Sequence, residues 1–187
     1  MFYNLQEVLT YNSMLNILIG ERGVGKTYSL TKYVTKKFLK KHRKFIYLRR
    51  YKTELKESVP KFFDAIKQEE CFNGIEFSTK GNTFYINKQI CGYALSLSTS
   101  HILKSSTFVD VDTIIFDEFI IDKGCYHYLN NEVEQFLDFI ETVGRLRNIK
   151  AFLLVNAISI TNPYFLYFNL HLPYNKTIQT PRYFLFK

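Results

Sequence analysis

The sequence has few cysteines and no long apolar segment. Its three cysteines, Cys71, Cys91 and Cys125, are odd in number, widely spaced and without a metal-binding pattern. They indicate reduced thiols in a cytosolic protein rather than a disulfide framework. No uncharged apolar run of about 18 residues occurs, so neither a transmembrane helix nor a membrane partner is expected. The N-terminal segment also lacks the basic start and apolar core of a signal peptide.

Acidic residues are scarce in one part of the chain, where basic residues accumulate. The formal net charge is +8, and twelve of the 25 lysines and arginines fall between Lys32 and Lys61, against two acids, Glu54 and Glu57. Such a block is typical of a surface that attracts a polyanion such as nucleic acid. A solvated helix face would look the same, so charge alone leaves both interpretations open. The length of 187 residues predicts one folded domain, 1–187.

A glycine-rich segment, Gly20–Thr27, matches the phosphate-loop pattern G-x-x-x-x-G-K-[ST] at every fixed position. It lies between a predicted buried strand, Leu15–Ile19, and a predicted helix, Thr27–Lys41, which has apolar residues at four-residue spacing. Glycines allow the backbone N–H groups to point at phosphate oxygens, and the positive end of the helix adds to that field. The segment therefore predicts binding of a nucleoside triphosphate.

The predicted contacts with the triphosphate differ in kind. Lys26 is expected to reach the β- and γ-phosphates, and the Thr27 hydroxyl to ligate Mg²⁺. Arg22 is a second positive group near the phosphates, unless it forms an ordinary salt bridge. The complete set of predicted nucleotide-binding residues is Gly20, Arg22, Gly23, Val24, Gly25, Lys26, Thr27 and Tyr28.

Two adjacent acids follow another apolar strand, Thr113–Phe116. Acids at the C-terminal end of a strand face the crevice in which open α/β sheets bind ligands. Asp117 is therefore predicted to hold Mg²⁺ with its water shell, and Glu118 to act as the general base that polarises the attacking water. A GTPase switch would carry a D-x-x-G turn after this strand and an N-K-x-D guanine reader. Neither is present, so ATP is the predicted nucleotide.

Apolar strands alternate with helical segments, which predicts an α/β fold with a mostly parallel sheet flanked by helices. The predicted core strands are Leu15–Ile19, Phe45–Arg49, Thr113–Phe116 and Ala151–Val155, and the predicted helices are Thr27–Lys41, Lys61–Glu69 and Glu132–Val143. Between about residues 74 and 98, short strands around Lys80-Gly81-Asn82 predict a small antiparallel insertion. The segment Ser98–Asp110 is rich in serine and threonine and predicts a surface loop.

Polar residues near the end of the sequence complete the predicted site. In additional-strand (ASCE) P-loop ATPases, a polar residue ends the strand inserted beside the phosphate loop and senses the γ-phosphate. Asn156 is predicted in that role, the alternative being an asparagine that simply ends a strand. Arg145 or Arg147 could project into a neighbouring subunit and stabilise charge on the transferring phosphate. Spacing alone does not separate this role from that of a surface arginine.

With these residues in view, the chain resembles the DNA-packaging motor ATPases of small podoviruses (Picovirinae-type phages). This family is a terminase-like branch of the additional-strand P-loop ATPases. The resemblance runs through nearly the whole chain, and its more specific parts include Arg49–Leu55, Phe116–Ile120 and Asn162–Leu170. The phosphate loop by itself is common to a great many families.

The resemblance implies a homo-oligomeric ring, a pentamer, at the portal vertex of an empty viral capsid in the host cytoplasm. It implies ATP hydrolysis that drives double-stranded DNA inward, often with a structural packaging RNA as scaffold. The implied catalytic residues are Lys26, Glu118, Asn156 and, acting in trans on the neighbour's ATP, Arg145. Lys52 would lie near the subunit boundary. Family members carry a further C-terminal domain, so this chain is expected to be an isolated ATPase domain or a truncated relative.

Two other functions remain open at this stage. One is another ring-forming DNA-translocating ATPase, such as a helicase or a DNA-transfer enzyme. The other is a non-catalytic, nucleotide-gated module that binds DNA without turnover, against which the Asp117-Glu118 pair argues.

Overall fold

The structure is a computed structural model that describes residues 4–105, 107–121, 127–145, 147–156, 162–170, 178–179 and 184–186; Cys125 lies outside them. The α-helices are α1 Leu5–Thr10, α2 Lys26–Lys41, α3 Lys52–Ser58, α4 Glu132–Gly144 and α5 Pro163–Tyr167, and 3₁₀ helices span Glu70–Phe72 and Leu97–Ser105. The strands are β1 Leu15–Ile19, β2 Lys44–Arg49, β3 Phe77–Lys80, β4 Thr83–Ile86, β5 Gln89–Ser96, β6 Val111–Asp117, β7 Lys150–Val155, β8 Ile178–Gln179 and β9 Phe184–Phe186. None of the described helices is long and apolar enough to cross a membrane.

The described strands form one nine-stranded sheet in the order β3-β4-β5-β2-β6-β7-β1-β9-β8. Parallel pairing runs through the middle, from β5 across β2, β6, β7 and β1 to β9. Antiparallel pairs form both edges, β3 with β4 and β4 with β5 on one side and β8 with β9 on the other. The predicted α/β class is confirmed, but the sheet is mixed rather than mostly parallel.

Side chains of the central strands alternate between two apolar layers. In β2, Ile46 and Leu48 belong to the layer that includes α4, whereas Phe45 and Tyr47 belong to the layer that includes α2. Strand β7 alternates in the same way. Because helices cover both faces, these strands are apolar almost without interruption, which is why the sequence predicts their bounds to within two residues.

The region around Pro60 differs from the prediction. Residues Lys61–Glu69 form successive turns rather than an α-helix, and the helix of this region is α3, which precedes the proline. Most turn hydrogen bonds here join residues three apart, such as Phe62 N to the Val59 carbonyl. Phe62 and Phe63 are both buried although they are adjacent. Packing of two consecutive aromatic residues therefore overrides local helix propensity.

The predicted antiparallel insertion is a hairpin at the edge of the main sheet. Strands β3 and β4 pair as expected, and Gly81 supplies a positive φ of 57° at their turn. Strand β5 then pairs antiparallel with β4 and parallel with β2, so the hairpin continues the core sheet. The predicted loop after it begins instead with the 3₁₀ helix Leu97–Ser105.

The parallel pairing of β5 with β2 sets Gly92 directly against Phe45. A Cβ on residue 92 would lie 2.7 Å from Cε1 of Phe45, whose ring stacks on Phe62 and Phe84 and has little room to move. We expect Gly92→Ala to lower the free energy of unfolding by about 1–3 kcal/mol, the usual cost of overpacking. Urea denaturation measures the change.

The matched control is Gly144→Ala, because a Cβ there would make an ordinary 3.4 Å contact with Ile149. It should leave the free energy of unfolding within about 0.5 kcal/mol of the original value. The double variant Phe45→Leu/Gly92→Ala should lower the free energy of unfolding by less than the sum of its single changes. The reason is that leucine at position 45 leaves room for the added Cβ. A strictly additive cost would show that the contact with Phe45 is not the cause.

Candidate nucleotide-binding site

The predicted phosphate loop forms the turn between β1 and α2. Gly23 and Gly25 have φ values of 89° and 79°, a backbone conformation that other residues rarely adopt. Gly25 is the N-cap of α2, and no side chain caps the helix there. The first-turn N–H groups of α2 therefore present the positive end of a 16-residue helix to this turn. Such a helix start is suited to binding an anion.

The Lys26 side chain lies across this loop. Its Nζ donates hydrogen bonds of 2.9 Å to the carbonyl oxygens of Gly20 and Glu21, and only 4% of the residue is exposed. Burial lowers the pKa of Lys26, while the nearby Asp117 carboxylate acts to raise it. The ammonium group thus lies between the loop and the end of β6 that carries Asp117. A bound phosphate would lie between these two parts of the site.

The remaining predicted loop residues are placed differently. Thr27 and Val24 are half-buried at the loop, and Arg22 is exposed and forms no ion pair with any residue that the structure describes. The Tyr28 hydroxyl accepts a hydrogen bond of 3.3 Å from Lys32, which pairs with Glu69. Tyr28 therefore belongs to a side-chain network that ties α2 to the segment after Pro60.

Asp117 is the last residue of β6 and lies at the same end of the sheet as the loop. Its Oδ2 accepts a hydrogen bond of 3.2 Å from the Tyr47 hydroxyl and lies 3.8 Å from Nη1 of Arg49. Burial raises the pKa of the Asp117 carboxyl above its ordinary value of 3.8, and Arg49 opposes that shift. The carboxylate is a hard oxygen donor, the type of ligand that Mg²⁺ prefers.

Glu118 follows with a φ of 55°, and its side chain is 47% exposed. Its Oε2 is 2.6 Å from Nη2 of Arg49, which also pairs with Glu54 at 3.0 Å. The Arg49 guanidinium therefore holds the Glu118 carboxylate from one side, where Glu118 lines the cavity described below.

Arg49 is a site residue that the sequence reasoning did not single out. Burial acts to lower its pKa, but Tyr47 and the surrounding carboxylates Glu118, Asp117 and Glu54 raise it above the ordinary value. A polar signal was present, since two arginines end an otherwise apolar strand at the edge where ligands bind. Within the segment Arg49–Leu55, only Lys52 was given an expected position, near the subunit boundary.

One cavity of about 480 Å³ is lined by both acids and by Thr27, the last residue of the phosphate loop. Thr27 and Tyr28 contribute from α2, and Asp117 and Glu118 from the end of β6. Arg49 and residues of α3 close the opposite side. The structure thus brings the predicted metal ligands and the predicted base to one opening.

Asn156 follows β7 directly, and β7 lies between β1 and β6. The Gly20 N–H donates to the Val155 carbonyl at 3.4 Å, and the Phe119 N–H donates to the Leu154 carbonyl at 3.2 Å. The end of β7 therefore contacts both the phosphate loop and the acidic turn, and Asn156 is placed between them.

Arg145 and Arg147 lie away from this opening. Arg145 is exposed directly after the 13-residue helix α4, whose first residue, Glu132, pairs with Arg50. Arg147 is engaged inside the chain, since its guanidinium donates to the carbonyls of Phe108, Val109, Val111, Val143 and Gly144. Of the two, only Arg145 presents its side chain outward.

Comparison with known proteins places the chain among viral packaging proteins. The family model described as Podovirus DNA encapsidation protein (Gp16) matches residues 1–181. The DNA packaging protein of Bacillus phage phi29 is 43% identical over 177 residues, which are 94% of this chain and 52% of that protein. The chain thus spans about half the length of the curated relatives it matches.

Solved structures of viral packaging proteins are also similar to this chain. The crystal structure of the N-terminal domain of the DNA packaging ATPase from bacteriophage phi29 matches with a TM-score of 0.90 and 40% identity, covering 98% of this chain and 94% of that one. A chain of the phi29 viral genome packaging motor assembly matches with a TM-score of 0.88 and 40% identity over 98% of this chain and 56% of its own. The large terminase ATPase domain of a Thermus phage, 12% identical, shares the fold with a TM-score of 0.61 over 100% of this chain and 80% of its own.

Asp117, whose side chain is 15% exposed, generates a testable dependence of stability on pH. Its folded-state pKa is raised, so its ionisation opposes folding once the pH exceeds the ordinary value of 3.8. We expect Asp117→Asn to unfold at higher urea concentration than the original protein near pH 8, and the difference to shrink as the pH falls toward 4. The exposed acid Glu134 serves as control, and Glu134→Gln should show no such trend. An advantage of the asparagine variant that grows toward acid pH would contradict the assignment.

Proposed function

Because the chain belongs to the podovirus DNA encapsidation protein family, we propose that it hydrolyses ATP to drive double-stranded DNA into a preformed viral capsid. The observation that carries this proposal is the shared cavity, which Thr27 at the end of the phosphate loop lines together with Asp117 and Glu118. A triphosphate on the loop would have its terminal phosphate directed at the two acids. Binding and hydrolysis would then occur at one place.

The residues of the site would have different roles in phosphate binding and hydrolysis. The loop glycines and the start of α2 would bind the phosphates through backbone N–H groups. Lys26 would exchange its bonds to the Gly20 and Glu21 carbonyls for bonds to phosphate oxygens. Glu118 would orient the attacking water and take its proton, and Asn156 would contact the γ-phosphate from the end of β7.

The donor set also fits Mg²⁺. The Thr27 hydroxyl and the Asp117 carboxylate are both oxygen donors that line the cavity. Two protein ligands are typical of Mg²⁺ sites that phosphate oxygens and water complete. When bound, the ion would neutralise charge on the phosphates.

The additional-strand class of P-loop ATPase is supported by strand order. Strand β7 separates β1, which leads into the phosphate loop, from β6, which ends in the acids. An inserted strand at this position is the feature that the sequence resemblance implies. We treat residues 1–187 as one ATPase domain of this class.

The proposed ring assembly is supported by the exposed position of Arg145. Arg145 is exposed at the end of α4, whereas Glu132 at the start of α4 pairs with Arg50 next to the site, so Arg145 is a candidate for contact with a neighbouring subunit. The similar chain of the phi29 structure belongs to a viral genome packaging motor assembly. We propose a homo-oligomeric ring, a pentamer, in which Arg145 acts in trans at the portal of a capsid inside the host cell, with a packaging RNA as a further partner.

The basic block is only partly available for DNA. Lys37 and Arg43 pair with Asp112, and Lys44 pairs with Asp110, so these three cations serve the fold. By contrast, Lys36, Lys40 and Lys41 are exposed on α2. These exposed lysines are the proposed contacts with the DNA backbone, which attracts cations irrespective of base sequence.

Two substitutions separate binding from chemistry. We expect Lys26→Ala to weaken ATP binding and abolish turnover, because a buried phosphate contact is lost. Glu118→Gln should bind ATP normally but lower kcat by about 10²–10⁴-fold, the usual worth of a general base. Phosphate release and nucleotide-binding titrations measure the two effects, with Glu134→Gln as the exposed control.

Turnover by Glu118→Gln within tenfold of the original protein would remove the general-base role. Absence of phosphate release by the unaltered assembled protein with DNA present would favour the non-catalytic module instead. ATP-dependent uptake of DNA into empty capsids separates a packaging motor from other DNA-translocating ATPases.

Mixed assemblies test the trans role of Arg145. Rings of Arg145→Ala subunits alone and of Glu118→Gln subunits alone should both be inactive. Mixing them should restore part of the phosphate release, because an intact cis site can then face an intact arginine. Mixing Glu118→Gln with Lys26→Ala is the control, since both subunits then carry defective cis sites and no activity should return. If the first mixture also stays inactive at every ratio, Arg145 does not act in trans.

A further inference from the structure

A buried cluster lies directly behind the acidic turn, and its centre is Arg50. This arginine follows β2 and is 3% exposed. Its Nε and Nη2 donate to Oε2 and Oε1 of Glu132 at 2.7 and 2.8 Å. Its Nη1 donates to the Glu118 carbonyl at 3.3 Å, and Nη2 also donates to the Phe119 carbonyl. One guanidinium thus joins a buried carboxylate to the main chain of the proposed general base.

We propose that Arg50 is a positioning residue for ATP hydrolysis, which holds the main chain of Glu118 and Phe119 so that the Glu118 carboxylate faces the cavity. The proposal rests on the hydrolytic function proposed above and goes beyond it, since Arg50 does not line the cavity. It acts on the reaction only through Glu118.

The backbone at Glu118 needs such support. Its φ of 55° is unusual for a residue with a side chain, and such a conformation persists where surrounding contacts determine it. Arg50 binds the carbonyls of the two peptide units that follow this Cα. On the other side, the Phe119 N–H is bound by Leu154 of β7, and the Ile121 N–H donates to the Tyr128 hydroxyl. Together these contacts determine where the Glu118 side chain points.

Glu132 keeps the arginine in place. It is 2% exposed, and besides Arg50 it accepts hydrogen bonds of 2.8 Å from the Tyr164 hydroxyl and from the Leu129 N–H. Rings of Phe116 and Tyr128 also flank the guanidinium, with centroids 5.9 and 4.9 Å from its carbon. Both carboxylate oxygens of Glu132 therefore accept hydrogen bonds, and the Arg50 guanidinium is held in one orientation.

A purely stabilising role would not require these groups. Buried ion pairs can often be replaced by apolar residues of similar size without loss of stability, whereas removing one partner leaves an unpaired buried charge. What apolar residues cannot supply is the set of donors to the Glu118 and Phe119 carbonyls. Positioning and stability can therefore be separated by experiment.

The decisive variant is Arg50→Met/Glu132→Leu/Tyr164→Phe, which removes the whole buried network without leaving a charge unpaired. We expect it to fold and to bind ATP with a Kd close to the original, while kcat falls about 10²-fold, the scale of a misplacement of about 1 Å. Arg50→Lys retains one bond to Glu132 but loses the carbonyl bonds, and kcat should fall with little change in KM. The control is Lys37→Met/Arg43→Met/Asp112→Leu, which removes both ion pairs of Asp112 at the start of β6, away from the acidic turn, and should leave kcat unchanged.

A readout without turnover completes the test. Amide hydrogen exchange of residues 118–121 should accelerate in both Arg50 variants and stay unchanged in the control, while exchange in β6 and β7 remains slow. If either Arg50 variant keeps the original kcat, or if exchange at 118–121 is unaltered, the proposal is wrong. An inactive but nucleotide-binding original protein would instead overturn the proposed hydrolysis, and the exchange measurement would still decide whether Arg50 holds the turn.

Discussion

Parallel pairing of β1, β2, β6 and β7 is the constraint on which the candidate site depends. Parallel strands present their carboxyl ends at one edge of a sheet, so the polar residues that follow them meet there. The pairing thereby brings groups that are far apart in sequence to one edge. They are the phosphate loop after β1, Arg49 on β2, Asp117 on β6 and Asn156 after β7. Two apolar layers pack against the sheet from both faces.

Charge compensation at this edge sets the chemistry that the site can perform. Two consecutive buried arginines, Arg49 and Arg50, face opposite ways and bind different carboxylates. Arg49 contacts the residues that would meet nucleotide, namely Asp117 and Glu118. Arg50 binds Glu132 and the main chain behind the turn. Arg49 thus contacts the side chain of Glu118, whereas Arg50 contacts its main chain.

The fold places the lysines and arginines of the basic block in two different environments, paired with acids or exposed. Half-buried Lys37, Arg43 and Lys44 are neutralised by Asp110 and Asp112, which lie far from them in sequence. Only part of the block is an exposed surface of one sign. An estimate of nucleic-acid affinity from net charge alone would count cations that the fold already uses.

The sequence by itself determined the central strands, α2, α4 and the loop chemistry of Gly20–Thr27, because these follow from local periodicity and fixed spacings. It also indicated the family, which the comparisons confirm. It did not determine the turns after Pro60, the pairing of β5 with β2, or the partners of the arginines. Those depend on contacts between residues distant in the chain, such as Arg50 with Glu132, and only the folded sheet brings such groups together.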